Sequence, residues 1–319
     1  MRIKLWGVRG SLSSPISNDE YTAKMRHILE RAVDSGLKEK GKIDGFLASL
    51  PYMYRYIYGG NTTCITVTSN SGKTYIVDCG SGIRPLGDEL MQGPCGKGAG
   101  IVNIMLTHYH WDHIQGLPFF KPLYIKGNVF NFYSPYKDGE AYLKGQMVSP
   151  YFPATFEGTP SVKHFHYLDP RDRKQVKFED DLLVDLYPLK HPGGSFAYRF
   201  KQAGKIFIFA TDAEFTGEVL ETTENRTDFF DDADLLILDS QYTLDESFMK
   251  IDWGHTSYTM AVNCGVRWRV KTLVLTHHEP SYRDEKLFEN YNGAIEHRNN
   301  GESDTPEIVM ATEGSVFTL

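Results

Sequence analysis

The segment LTHYHWDHIQG, Leu106 to Gly116, holds His108, His110, Asp112 and His113 within six positions. Neutral imidazole and carboxylate are the donors that suit zinc, iron or manganese. His108 and His110 lie two apart at the end of the apolar run IVNIML, so both can point to one side of a strand end. Asp112 and His113 then fall on the turn that follows. Four such donors can serve two neighbouring cations, provided distant residues complete both shells. As an ordinary polar loop, the segment would desolvate these ionisable groups with nothing to compensate them.

Three distant positions supply the rest. His191 sits in LKHPGG after the run LLVDLYPL, Asp212 in FIFATDAE, and His277 in LVLTHHEP. Each follows an apolar run, at a strand end, where sheet proteins usually carry their sites. Alone, each reads as a surface residue; with HYHWDH they make a set of seven.

The elements that must position this set alternate between strands and helices. Strands are expected at Met1 to Trp6, Thr62 to Thr68, Lys73 to Val77, Ile101 to Thr107, Leu182 to Leu186, Phe196 to Phe200 and Lys205 to Ala210. The turns SNSG and QAG make hairpins of two pairs of them. Leu235 to Leu238 and Thr272 to Thr276 are mostly apolar, as in strands covered on both faces. Helices are expected at Thr256 to Trp268 and Glu285 to His297. The mix predicts an α/β chain of sheets covered by helices, with some antiparallel pairing. Ile16 to Tyr58 interrupts the strands as a helical insertion. Ser17 and Glu20 form a capping box, Tyr21, Met25, Ile28, Leu29 and Ala32 share one face, and Gly36 ends the helix. The expectation for this face is burial on the domain or at a dimer contact, ahead of a substrate lid.

The 319 residues carry a net charge of −7, against the basic stripe that a long nucleic-acid footprint requires. No apolar run approaches the roughly 20 residues of a membrane span. MRIKLWGVRGS lacks the apolar stretch of a secretory leader, and the four cysteines are scattered without a CxxC pair. A cytoplasmic protein is expected.

With HxHxDH in this setting, DCGSG at Asp78 to Gly82, and DSQYTLDESFMKIDWGHTSYTMAV before the last ligand candidate, the chain resembles the metallo-β-lactamase fold superfamily. Within it, the resemblance is to the phosphodiesterase branch related to ribonuclease Z, and it spans MRIKLWGVRGS to THHEP. It implies a single domain over 1–319, an αββα sandwich of two mixed sheets flanked by helices. It implies one cation held by His108, His110 and His191, a second held by Asp112, His113 and His277, and Asp212 bridging both. A bridging aspartate, rather than a cysteine, matches the hydrolase branch. Asp78 would support the metal histidines. The Gly-His-Ser/Thr element becomes Gly254, His255 and Thr256, with His255 assisting the leaving group. Two divalent ions are implied, zinc first, with manganese or iron(II) as alternatives. The implied reaction is attack of a metal-bridging hydroxide on phosphorus, with Asp112 orienting it and His255 as proton donor.

Other residues carry weaker expectations. Asn61 in GGNT is read as a substrate hydrogen-bonder or a turn residue, and Arg84 as a phosphate contact or a structural ion pair. His278 is read as substrate-facing or as a support for the ligands. His164 and His166 are taken as ordinary strand residues, and Tyr109 and Trp111 as packing beneath the site. The interval between His113 and His191 has no Gly/Pro-rich basic arm and is aromatic, a composition that could stack a single nucleobase. The expected substrate is therefore a small phosphodiester, a cyclic nucleotide first, and the expected assembly a homodimer, as is common among relatives. A ribonuclease Z-type RNA nuclease and a lactone or thioester hydrolase stay open, with a di-iron redox protein ranked last.

Overall fold

Residues 1–172, 176–178, 181–217, 228–301 and 303–319 are described by the computed structural model. The chain begins with β1 (Arg2–Gly7), α1 (Asn18–Asp34), α2 (Ile43–Ser49), α3 (Tyr52–Arg55), β2 (Cys64–Thr68), β3 (Thr74–Val77), α4 (Ile83–Leu90), β4 (Ile101–Met105), the single turn α5 (Trp111–Ile114), β5 (Val129–Ser134), α6 (Gly139–Gln146) and β6 (Val162–Tyr167). It continues through β7 (Val176–Lys177), β8 (Leu183–Leu189), β9 (Ser195–Gln202), β10 (Lys205–Ala210), β11 (Leu235–Asp239), α7 (Leu244–Met249), α8 (Tyr258–Arg267), β12 (Thr272–Thr276), α9 (Asp284–Asn300), β13 (Glu307–Met310) and β14 (Val316–Thr318).

The strands form two seven-stranded sheets, β14-β1-β2-β3-β4-β5-β6 and β13-β12-β11-β10-β9-β8-β7. Each is mixed: β3 to β6 run parallel in the first and β10 to β13 in the second, with antiparallel neighbours beside them. The apolar runs are unbroken because both faces of a strand are covered. Phe207, Phe209, Leu235, Ile237 and Val274 face the space between the sheets, against Leu5, Val67 and Val77. Their alternates Ile208, Leu236, Leu238 and Leu273 face outward onto Ala261, Val262, Trp268 and Leu287 of the helical layer. On the other side, Ile76, Ile104, Phe130 and Phe132 meet Ile83, Leu86 and Leu143. The result is the αββα sandwich.

Several details differ from the sequence expectation. β5, β7, β13 and β14 lie in segments with no strand expected: β7, β13 and β14 are short edge or near-edge strands, and the VFNFYS pattern of β5 sits inside a long aromatic interval. α8 starts at Tyr258, not Thr256, because Ser257 is its cap, accepting from the Met260 amide. Thr256 instead accepts from the Phe215 amide.

In the insertion, α1 has both halves of the capping box, and Gly36 takes the left-handed φ of 68° that ends the helix. The expected burial of its apolar face on the domain does not occur. Tyr21, Met25, Leu29 and Val33 are exposed, and no α1 residue is fully buried. The helix is instead held along one flank of that face, where Lys24 pairs with Asp284 at 2.8 Å and Ile28 and Ala32 are half-buried. Two ion-paired polar groups thus set the rotation of the helix, which an apolar count alone does not foresee.

Gly80 fixes how closely α5 approaches the sheet end. A β-carbon there would lie 2.3 Å from the Asp112 carbonyl oxygen and 2.5 Å from that of Thr63. Gly80→Ala is expected to destabilise the chain by about 1–3 kcal/mol, since backbone cannot yield as a side chain can. Urea unfolding checks this, and an unchanged midpoint would contradict the close approach.

Candidate metal centre

In the second sheet the C-terminal ends of β8, β10, β11 and β12 share one rim, as parallel direction and two intervening reversals require, and the residues that follow β4 of the first sheet meet it there. His108 and His110 follow β4, with Asp112 and His113 on α5. His191 follows β8, Asp212 follows β10, and His277 follows β12. Asp78, Asp212 and His277 have φ of 62°, 59° and 63°. Such left-handed residues cost of order 1 kcal/mol each outside glycine. The conformation ends the strand alternation and turns each side chain along the rim.

All seven expected ligand candidates converge there. Single donor atoms of His108, His110, His191 and Asp212 lie within 4.8 Å of one another, and so do those of Asp112, His113, Asp212 and His277. Asp212 is common to both groups. Its Oδ1 lies 3.6 Å from His191 Nε2 and 3.8 Å from His108 Nε2, while its Oδ2 lies 2.9 Å from His113 Nε2. Although His113 Nε2 and Asp212 Oδ2 are that close, neither completes a hydrogen bond, and His108 Nε2 and His277 Nε2 are also buried without a partner. Apart from His191 Nε2, which lies 3.0 Å from His110 Nδ1, these donors face shared space without a partner, which a bound cation would satisfy, and the imidazole–carboxylate set fits divalent ions.

The opposite edges of the rings are tethered. His113 Nδ1 donates to Asp78 at 2.8 Å, His191 Nδ1 donates to the Gly254 carbonyl at 2.9 Å, and His277 Nδ1 lies 3.3 Å from Thr63 Oγ1. These outer partners fix the tautomer and orient Nε2 inward. Asp78 also accepts from the amide and hydroxyl of Thr107, both at 2.8 Å. Asp112 Oδ2 accepts from the Ser11 amide at 2.9 Å.

Charge follows position. Burial holds the His108 ring well below its ordinary pKa, and burial likewise lowers His110 and His191. Burial opposes charge on His113 too, but Asp212, Asp112 and Asp78 outweigh it and push that ring well up. Burial would raise Asp212, yet His113, His277 and His108 hold it well below the usual carboxylate range. The pocket thus demands positive charge at its centre, and a cation that supplied it would release protons on binding.

His255 joins the rim beside these groups. It precedes α8, its Nδ1 lies 2.8 Å from Asp239 Oδ2, and its ring stacks on His277 with centroids 5.0 Å apart. Asp239, Glu214 and Ser11 belong to the site but were not foreseen. Asp239 accepts from the amides of Asp212 and Thr256, both at 3.0 Å, so one carboxylate ties a ligand candidate to His255. LLILD ends on its aspartate much as FIFATD does, and that parallel was the available signal. Glu214 accepts from the Gly254 amide at 3.0 Å and pairs with Lys190, holding the loop that carries His255.

Other expected residues lie elsewhere. Asn61 is not free for substrate: its Nδ2 donates to Glu313 and its Oδ1 accepts from Ser81. Arg84 is exposed on α4, 3.8 Å from Asp88 and away from the rim. His278 is not substrate-facing: it is buried, hydrogen-bonded to the Ala311 carbonyl, and pushed down to about 3 by burial. The partners of Asn61 and His278 come from remote parts of the chain, invisible in the chain order, whereas that of Arg84 is a helix neighbour four residues on. Trp111 does not pack beneath the site but is 81% exposed, whereas Tyr109 does pack inward and donates to Ser134. The one-turn α5 sends the Trp111 side chain outward, where strand alternation would have sent it in. His164 and His166 lie on β6.

Two substitutions separate these roles. Asp212→Ala is expected to lose bound metal, read by elemental analysis after dialysis. Asp78→Asn is expected to weaken metal affinity by about 10–100-fold while leaving the fold intact, as circular dichroism and a chelator titration would show.

Comparison with known proteins agrees with the geometry. The model of the Beta-lactamase superfamily domain matches residues 73–278. Ribonuclease Z of Prochlorococcus marinus (strain NATL1A) is 26% identical over 262 residues, covering 65% of this chain and 78% of that protein. Zn(2+)-bound PqqB from Methylobacterium extorquens aligns over 100% of both chains with a TM-score of 0.63 at 14% identity. The short form of human tRNase Z aligns over 100% of this chain and 99% of its own, with a TM-score of 0.59 at 17% identity. The chain belongs to the beta-lactamase superfamily and is a metallo-hydrolase related to ribonuclease Z.

Proposed function

We propose that the protein hydrolyses a small phosphodiester, a cyclic nucleotide first, in the cytoplasm, where its four buried free thiols stay reduced. The observation that carries the reaction type is Asp212 shared between two donor groups, with the His255–Asp239 pair beside both. His108, His110 and His191 would hold one divalent ion and Asp112, His113 and His277 the other, zinc first, as in the zinc-bound relative in fold. Bound there, the ions would neutralise phosphate charge and lower the pKa of a water towards roughly 7.

The chain's own groups supply the rest. Asp239 holds His255 by Nδ1, which leaves Nε2 to donate a proton to the departing oxygen. Burial opposes a charged His255, but Asp239, with Asp212 and Asp112, outweighs it and raises the ring, which favours the protonated form. Asp112, fixed by the Ser11 amide, can orient the attacking water. A net charge of −7 favours a small diester over a polymer. RNA cleavage of the ribonuclease Z type is the second reading, supported by the curated relative of that name.

The reading includes a homodimer. The open face of α1 presents Tyr21, Met25, Leu29 and Val33 next to Arg26 and Glu30. Two copies across a two-fold axis would bury the apolar stripe and set the opposite charges against each other.

With metal-loaded protein, turnover is expected for cyclic or simple linear phosphodiesters above RNA and lactones; preference for RNA or lactones would overturn the substrate class. His255→Ala is expected to lower kcat by about 10²–10⁴-fold with metal content unchanged, and loss of metal would contradict the proton-donor role. Leu29→Glu is expected to shift the sedimentation coefficient from dimer to monomer.

A further inference from the structure

Beside the metal centre opens a cavity of about 460 Å³, within the roughly 300–1,000 Å³ of small-molecule sites. His110 joins it to the rim, while Trp111, Tyr136, Tyr142, Gln146 and Gly194 wall it. The described lining includes no lysine, arginine, aspartate or glutamate, so the cavity suits an uncharged group attached to the phosphate rather than the phosphate itself.

The walls are aromatic and braced. Tyr109 contacts Tyr136 and Tyr142 edge-on, with centroids 5.6 Å and 5.0 Å apart. Trp111 and Tyr142 are 81% and 46% exposed, so at the cavity mouth two large rings stand in water without cover. Gly194, with a φ of 84°, keeps the floor open, since a β-carbon there would lie 3.0 Å from Tyr136 Oη. Gln146 contributes a second observation. Its Oε1 is buried without a hydrogen-bond partner, an unsatisfied acceptor in a residue that lines the cavity.

We infer that this cavity is a nucleobase subsite, in which a base carrying an amino group stacks against Trp111 and Tyr142 and donates to Gln146 while its phosphodiester lies over the metal centre. The inference rests on the phosphodiesterase reading for where the phosphate lies. It narrows the substrate to nucleoside-bearing diesters, against diesters of glycerol or simple sugars. Stacking of one base on an aromatic side chain is strong enough to set that preference and tolerant of ring identity. The carboxamide adds discrimination among bases.

The test is equilibrium binding to the metal-loaded protein by calorimetry, with adenosine 5′-monophosphate and ribose 5-phosphate as probes. Both bring the same phosphate to the metals, so the base alone separates them. The adenine nucleotide is expected to bind about tenfold tighter or better, with Tyr142→Ala bringing the two affinities together. Purine riboside 5′-monophosphate, which lacks the amino group, is expected to bind several-fold more weakly than the adenine nucleotide, and Gln146→Leu is expected to erase that difference. Equal affinities of the parent protein for the nucleotide and the sugar phosphate overturn the subsite, as does a lack of binding by either. Because the readout is binding, the two readings fail separately. Tight nucleotide binding without diester turnover would overturn the reaction and leave the subsite standing. Diester turnover with equal affinities would overturn the subsite alone.

Discussion

The structure turns on the burial of Asp212 among four imidazoles. His108, His113, His191 and His277 all place Nε2 within 3.8 Å of its carboxylate. An ionised carboxylate taken out of water is tolerable only if opposite charge stands close by. Here, against burial, Asp212, Asp112 and Asp78 push the His113 ring well up, and a bound divalent cation would supply the charge in its place. Everything around the rim serves to keep those rings fixed, since imidazoles free to rotate would turn to one another or to water.

That rigidity is built from strand ends. Each parallel strand delivers its following residue to the same edge, and three of those residues accept left-handed backbone to turn inward. Strain of this kind persists because the sheets are covered on both faces and cannot shift to relieve it. The outer hydrogen bonds from Asp78, Thr63 and the Gly254 carbonyl then hold the rings. Asp239 couples the system further. It binds the Asp212 amide and the His255 ring with one carboxylate, so the two residues are held as a unit.

Around this stiff centre the surface is unevenly finished. On one side, the aromatic cavity lies next to His110 and carries no charge of its own. On the other, α1 is anchored by Lys24 and Asp284 and leaves its apolar stripe in solvent.

Strand periodicity alone predicted sheets covered by helices and put each distant ligand candidate just after an apolar run, while HYHWDH is local. The αββα sandwich and the gathering of the seven into one set were legible only through the resemblance to the superfamily. The supporting residues were harder. Asp78 was legible through DCGSG, but Asp239, Glu214 and Ser11 act through contacts between remote segments. Asn61, Arg84 and His278 each carried two readings in the sequence, and the fold decided between them: Asn61 and His278 have partners of their own, and Arg84 stands exposed in an ion pair with Asp88. The outward face of α1 and the exposure of Trp111 were decided only in three dimensions. Periodicity says which residues share a face, but what that face meets depends on elements that chain order does not place beside it.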